Sequence, residues 1–87
     1  MTLAWQTLAW NQYLEWQVED KNVVKKINEL IKECLRTPFE GKGKPEMLRA
    51  NLSGYWSRRI SDEHRLIYKV EKDLITIIKC KYHFDRV

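Results

Sequence analysis

With 87 residues the chain has room for one domain and one modest core, which excludes a second lobe and puts any site on the surface or in a shallow groove. Apolar residues make up 44%, with four Trp and four Tyr, a composition that folds, and no apolar run approaches the roughly 20 residues that cross a bilayer. The net charge of +4 lies in the second half: residues 1–40 carry five Lys/Arg against six Asp/Glu and residues 41–87 carry eleven against six, a bias that favours polyanions or acidic protein partners.

Taken in chain order, Thr2 to Gln6 alternates Leu3 and Trp5 with polar neighbours and reads as an edge or first strand. From Leu8 to Val18, the residues Leu8, Ala9, Trp10, Tyr13, Leu14 and Val18 recur at helical spacing and predict one apolar helix face. Asp20 is placed to cap a second helix, whose face is Val23, Val24, Ile27, Leu30, Ile31, Cys34 and Leu35. Pro38 ends it, because proline disfavours helical geometry at the residue before it. So short a connection predicts an antiparallel helical hairpin.

Glu40 to Asn51, with Gly41, Gly43 and Pro45 among charged residues, reads as a loop ending in a short turn of helix. Its GKGKPE run lacks the spacing of a phosphate-binding P-loop. Three strands are predicted to follow, at Gly54 to Ile60, His64 to Val70 and Leu74 to Tyr82, joined by Ser61-Asp62-Glu63 and Glu71-Lys72-Asp73. Three-residue connections set Trp56, Ile60, Leu66, Tyr68, Val70, Leu74, Ile78 and Cys80 on the core face. The opposite face then carries Ser57, Arg59, Arg65, Lys69, Lys79, Lys81 and His83. A two-residue turn would reverse the faces of the next strand. Cys34 and Cys80 have no metal-ligand spacing and read as small buried hydrophobes.

The polar face gathers Arg59, Arg65 and His83, and with Glu46 of the preceding loop the sequence offers a candidate for each part of a metal-free RNA cleavage. Such a reaction needs a base for the 2′-hydroxyl, cations for the phosphorane, and an acid for the departing 5′-oxygen. Glu46 is the carboxylate of the Gly/Lys loop, and flanking Lys44 and Arg49 favour its ionised form; a solvated loop carboxylate is the other reading. Arg59 and Arg65 offer planar bidentate donors to a phosphate, against the alternative of solubilising strand residues. His83 supplies an imidazole, a side chain suited to delivering a proton, whereas His64, at the turn and on the core side, reads as structural. Phe84 beside His83 offers a ring for stacking a base.

These residues sit inside longer stretches: KKINELIK from Lys25, TPFEGKGKPE from Thr37, NLSGYWSRRI from Asn51, EHRLIY from Glu63, and YHF from Tyr82. Together they resemble the YoeB toxins, a branch of the RelE-like family of toxin–antitoxin systems, over essentially residues 1 to 84. The resemblance implies an α+β, microbial-ribonuclease-like fold with an N-terminal strand, a two-helix hairpin and an antiparallel sheet. The activity it implies is a metal-independent, cofactor-free endoribonuclease that cuts messenger RNA in the A site of the 70S ribosome. Glu46 would be general base, Arg65 the transition-state stabiliser, His83 general acid, with Lys44, Arg49, Arg59 and Phe84 on the RNA. It also implies a YefM-like antitoxin, a homodimer, operator DNA bound only through the antitoxin complex, and no membrane. A cytoplasmic location is expected, since the N-terminus lacks the basic start and apolar run of a secretory signal.

Two positions depart from the family pattern. Arg49 stands where a Lys is common, and Phe84 where a Tyr is typical, so the ring is kept and the hydroxyl lost. Two other readings compete: a non-catalytic relative that acts on a protein target, as ParE-type members act on gyrase, and an attenuated toxin that binds antitoxin alone.

Overall fold

A computed structural model describes residues 1–48 and 54–83 of the chain. Arg49 and Phe84, both assigned to RNA above, lie outside the described residues, as does the 85–87 tail. The order of elements is β1 (Thr2–Trp5), α1 (Thr7–Glu19), α2 (Lys21–Arg36), β2 (Glu46–Met47), β3 (Tyr55–Arg59), β4 (Arg65–Glu71) and β5 (Leu74–Lys79). The strands form one sheet in the order β1-β5-β4-β3-β2. β2 to β5 pair antiparallel, and β1 joins β5 in parallel. The helical hairpin packs on one face of this sheet, and the opposite face carries Glu46, Ser57, Ile67 and Lys79 in one row.

α2 forms as its spacing requires. Asp20 accepts a hydrogen bond from the Asn22 N–H at 3.0 Å and so caps the helix start. Ile27, Leu30, Ile31 and Cys34 are buried against Leu66, Tyr68, Ile75, Ile77 and Cys80 of the sheet. Each fully buried Leu or Ile contributes roughly 1.5–3 kcal/mol. Cys34 and Cys80 are free, buried thiols, and burial pushes them up to about 11 and about 12. Leu35, expected on the buried stripe, is exposed.

α1 departs further from expectation. Its buried face is Ala9, Gln12 and Trp16, whereas Leu8, Trp10, Leu14 and Val18 are exposed, Val18 at 89%. Apolar residues occur almost all round this helix, so spacing alone does not select a face. Polar partners do select it: the Gln12 Oε1 accepts the Cys80 N–H at 2.8 Å, and the Trp16 Nε1–H donates to the Cys80 carbonyl at 2.9 Å. Two side chains of α1 thereby satisfy the backbone where β5 ends.

β5 corrects the predicted faces in its first half. Glu71 pairs with Leu74, so the turn is the two residues Lys72-Asp73, with Asp73 at φ +58°. The faces of residues 74–77 are therefore reversed, and Ile75 and Ile77 enter the core in place of Leu74 and Ile78. A bulge follows, because Tyr68 pairs with Ile77 and Ile67 with Lys79, leaving Ile78 unpaired. Beyond it Lys79 and Cys80 regain their expected sides. The strand stops at Lys79 rather than reaching Tyr82. Lys81 leaves the sheet to pair with Glu15 and Glu19 at 3.0 and 3.1 Å and to lie over the Trp16 ring, so it faces α1 instead of the polar side. Tyr82, at φ +64°, then redirects the chain toward His83.

Candidate active-site groove

Strand alternation divides the two adjacent arginines of β3. Arg58 points toward the helices with Trp56 and Ile60 and is fully buried, and Arg59 points away with Ser57. Arg59 stands directly across from Arg65 on β4. One register step away, Glu46, Ser57, Ile67 and Lys79 form a row across four strands. Lys44, Glu46, Ser57, Arg59 and Arg65 line one depression of about 80 Å³. Like charges opposite each other on adjacent strands repel. An anion held between Arg59 and Arg65 removes that cost.

The Arg65 guanidinium is fixed from behind. Its Nη1 donates to the carbonyls of Ser61, Asp62 and His64, the last at 3.0 Å. The Asp62 carbonyl also lies 3.0 Å from the His83 Nε2, so Arg65 and His83 meet at a single oxygen. Lys79, itself buried, donates from Nζ to the His83 carbonyl at 3.1 Å and holds that residue's backbone. His83 thus adjoins Arg65 without lining the depression itself. His64 is structural, as read from its position: its ring packs edge-on to Trp16 at 4.8 Å, and its Nδ1 accepts the Tyr82 N–H at 2.8 Å. Burial holds its pKa below the ordinary imidazole value.

Glu46 and Lys44 are positioned by an arginine that strand alternation alone puts in the core. Arg58 donates from Nε to the Tyr68 hydroxyl at 3.0 Å, from Nη1 to the Lys42 carbonyl at 2.7 Å, and from Nη2 to the carbonyls of Thr37 and Glu40. The Tyr68 hydroxyl in turn donates to the Pro38 carbonyl at 2.8 Å. Four carbonyls of the 37–42 segment are thereby tied to β3 and β4. Glu33 completes the clamp by accepting the Lys42 N–H at 3.2 Å and pairing with Arg36. The Arg36 hydrogen bond first, and then the Lys42 N–H, hold its carboxyl below the usual range. Gly43, at φ +85°, brings its carbonyl to the Arg59 N–H at 2.6 Å. A Cβ there would stand 2.8 Å from Leu30 Cδ2 and 3.1 Å from Arg58 Cβ. Lys44, also at positive φ, then turns back into the groove, and Glu46 enters the sheet as β2 rather than as loop.

The structure therefore unites Glu46, Arg59, Arg65 and Lys44 and sets His83 beside them. The fold and groove define a small basic α+β protein with a carboxylate, paired arginines and a histidine on one side of its sheet.

Comparison with known proteins carries the assignment to a family. The family model described as the YoeB-like toxin of bacterial type II toxin–antitoxin systems matches residues 5–84, and the chain belongs to that family. Toxin YoeB of Escherichia coli (strain K12) is 61% identical over 84 residues, covering 97% of this chain and all of the relative. Among solved structures, a YoeB/ParE toxin from Agrobacterium tumefaciens superposes with a TM-score of 0.92 at 45% identity, covering 97% of this chain and 100% of that one. YoeB from Staphylococcus aureus, solved as a dimer, superposes at 0.89 with 48% identity, covering 97% and 98%. The same toxin in a heterotetrameric YoeB–YefM complex gives 0.87, with equal identity and coverage.

Proposed function

We propose that this toxin is a metal-independent endoribonuclease that cuts messenger RNA in the ribosomal A site, acting as a single domain over residues 1–87. The observation that carries the reading is the juxtaposition of Glu46 with Lys44, Arg59 and Arg65 around one depression, with His83 joined to Arg65 through the Asp62 carbonyl. Glu46 takes the proton of the 2′-hydroxyl. The O2′–P bond forms as the P–O5′ bond breaks, and His83 delivers a proton to the departing 5′-oxygen. Arg65, with Nη1 anchored on backbone carbonyls, and Arg59, across the ladder, receive the charge that grows on the phosphoryl oxygens. Preorganisation supports this role, since an arginine already held by its neighbours loses little freedom in the transition state.

The family membership and the S. aureus YoeB–YefM complex support a YefM-like antitoxin as partner, and the S. aureus dimer supports a homodimer. The basic groove suits an acidic antitoxin segment that folds as it binds and covers Glu46 and Arg65. The test is single-turnover cleavage of messenger RNA in a translating ribosome complex. Glu46→Ala is expected to slow cutting by roughly 10²- to 10⁴-fold, the range of a lost general base, with folding intact. A folded Glu46→Ala protein that cuts at the wild-type rate would falsify the assignment of the base.

A further inference from the structure

Beside the groove lies a second depression that the cleavage reaction does not use. It is a cavity of about 240 Å³ lined by Lys26 of α2, Gly43 and Lys44 of the loop, and Arg59, Ile60, Ser61 and Asp62 at the end of β3. Three cations face one carboxylate there. Asp62 is fully exposed and reaches Arg59 only at 3.9 Å, a contact that an incoming anion displaces at little cost. Lys44 and Arg59 line both depressions, so the two lie side by side with a shared cationic wall. Their spacing is held from below, since the Arg59 N–H is bonded to the Gly43 carbonyl and Gly43 is wedged against Leu30 and Arg58.

We infer that this cavity is a second phosphate subsite, formed by Lys26, Lys44 and Arg59, which takes the backbone phosphate next to the one being cut. The inference rests on the ribonuclease reading of the groove and extends it by one nucleotide. A continuous cationic wall that serves two adjoining depressions matches consecutive phosphates of a single strand, and a lone anion would leave one depression empty. Phosphate contacts of this kind fix register without reading sequence. Lys26, from the helical layer, extends the RNA path off the sheet and onto α2.

The experiment titrates the protein with two fully 2′-O-methylated, uncleavable oligoribonucleotides, a dinucleotide with one internucleotide phosphate and a trinucleotide with two, following the backbone amides of Lys44 and Arg59 by NMR. The wild type is expected to bind the trinucleotide about two- to fivefold more tightly, the range that one exposed ion pair supplies. Lys26→Ala should erase that gain and leave the dinucleotide Kd unchanged. A trinucleotide gain that persists in Lys26→Ala overturns the subsite. So does a wild type that binds both oligonucleotides equally, and the RNA reading of the groove then still stands. If neither oligonucleotide moves the Lys44 and Arg59 amides, the reading of the groove fails and the subsite with it. An acidic hexapeptide that shows the Lys26-dependent gain when the trinucleotide shows none would assign the cavity to a protein ligand and overturn the RNA assignment.

Discussion

Replacing Arg58 by Met tests whether the 37–42 loop is held by one buried guanidinium. The substitution keeps most of the side-chain volume and removes four hydrogen bonds, to the Tyr68 hydroxyl and to the carbonyls of Thr37, Glu40 and Lys42. Hydrogen bonds from a charged donor are each worth about 1.5–3 kcal/mol, but these are not additive, and removing the guanidinium also relieves its own desolvation. The balance is a net destabilisation of about 3–5 kcal/mol, since neutral acceptors left unpaired in the interior cost about 1–3 kcal/mol each and part of that is offset by the relieved desolvation. For a domain of this size that is a large part of a total stability of roughly 4–13 kcal/mol. Urea unfolding measures it as a fall in midpoint with an unchanged slope. Arg58→Lys keeps the charge but not the planar fork, and it should recover only part of the loss. Because Arg58 acts through the loop that carries Lys44 and Glu46, the folded fraction of Arg58→Lys should lose both cleavage rate and affinity for uncleavable RNA. An Arg58→Met protein within about 1 kcal/mol of wild type would refute the reasoning, since that is the scale of an ordinary surface change.

The other predictions concern the same loop and the chain end. Gly43→Ala puts a methyl group 2.8 Å from Leu30 Cδ2 at φ +85°, so it should lower stability by about 1–3 kcal/mol and slow cleavage, both read from one preparation by urea melts and single-turnover assays. Glu33 has a folded pKa below its unfolded value, so its contribution is complete above about pH 4.5 and is lost as the pH falls through the folded pKa. Glu33→Gln should therefore flatten the acid limb of the stability profile, and an unchanged limb would remove Glu33 as its source. Phe84→Tyr restores the hydroxyl typical of the family on the same ring and should raise the cleavage rate on ribosome-bound RNA; an equal or lower rate would mean that the hydroxyl has no part in the reaction here.

An element is most legible where two independent signals coincide. α2 has both an amphipathic spacing and a side-chain cap at Asp20, and both appear. β3 and β4 have alternation on each side of a polar connection, and their register sets Arg59 opposite Arg65 and Trp56 opposite Tyr68. α1 had only spacing, and with Leu8, Trp10, Leu14 and Val18 distributed around it spacing was ambiguous. The burial of Gln12 follows from the end of β5, 68 residues away in sequence, a dependence that no local pattern carries. Arg58 was legible in one respect: parity sets it on the inner face with Trp56 and Ile60. Its partners were not, because the four carbonyls of its network belong to the 37–42 loop and the one hydroxyl to Tyr68, whose approach depends on tertiary packing.

The histidine side of the groove depends on two departures from regular pairing that cancel. A two-residue turn at Lys72-Asp73 reverses the faces of β5, and if the strand then continued regularly Lys79 would point into the helical core and Cys80 toward the groove. The extra residue at Ile78 restores parity just before the strand ends. Lys79 can then reach the His83 carbonyl from the groove side, and Cys80 is left in the core with its N–H on Gln12. Counting three residues in the connection reached the same final side for Lys79 by treating one irregularity at the bulge as if it lay in the turn. The difference is physical, because only the observed arrangement buries both Ile75 and Ile77 while presenting Lys79 to the chain end. The bulge therefore serves the core through the first half of β5 and the site through the second.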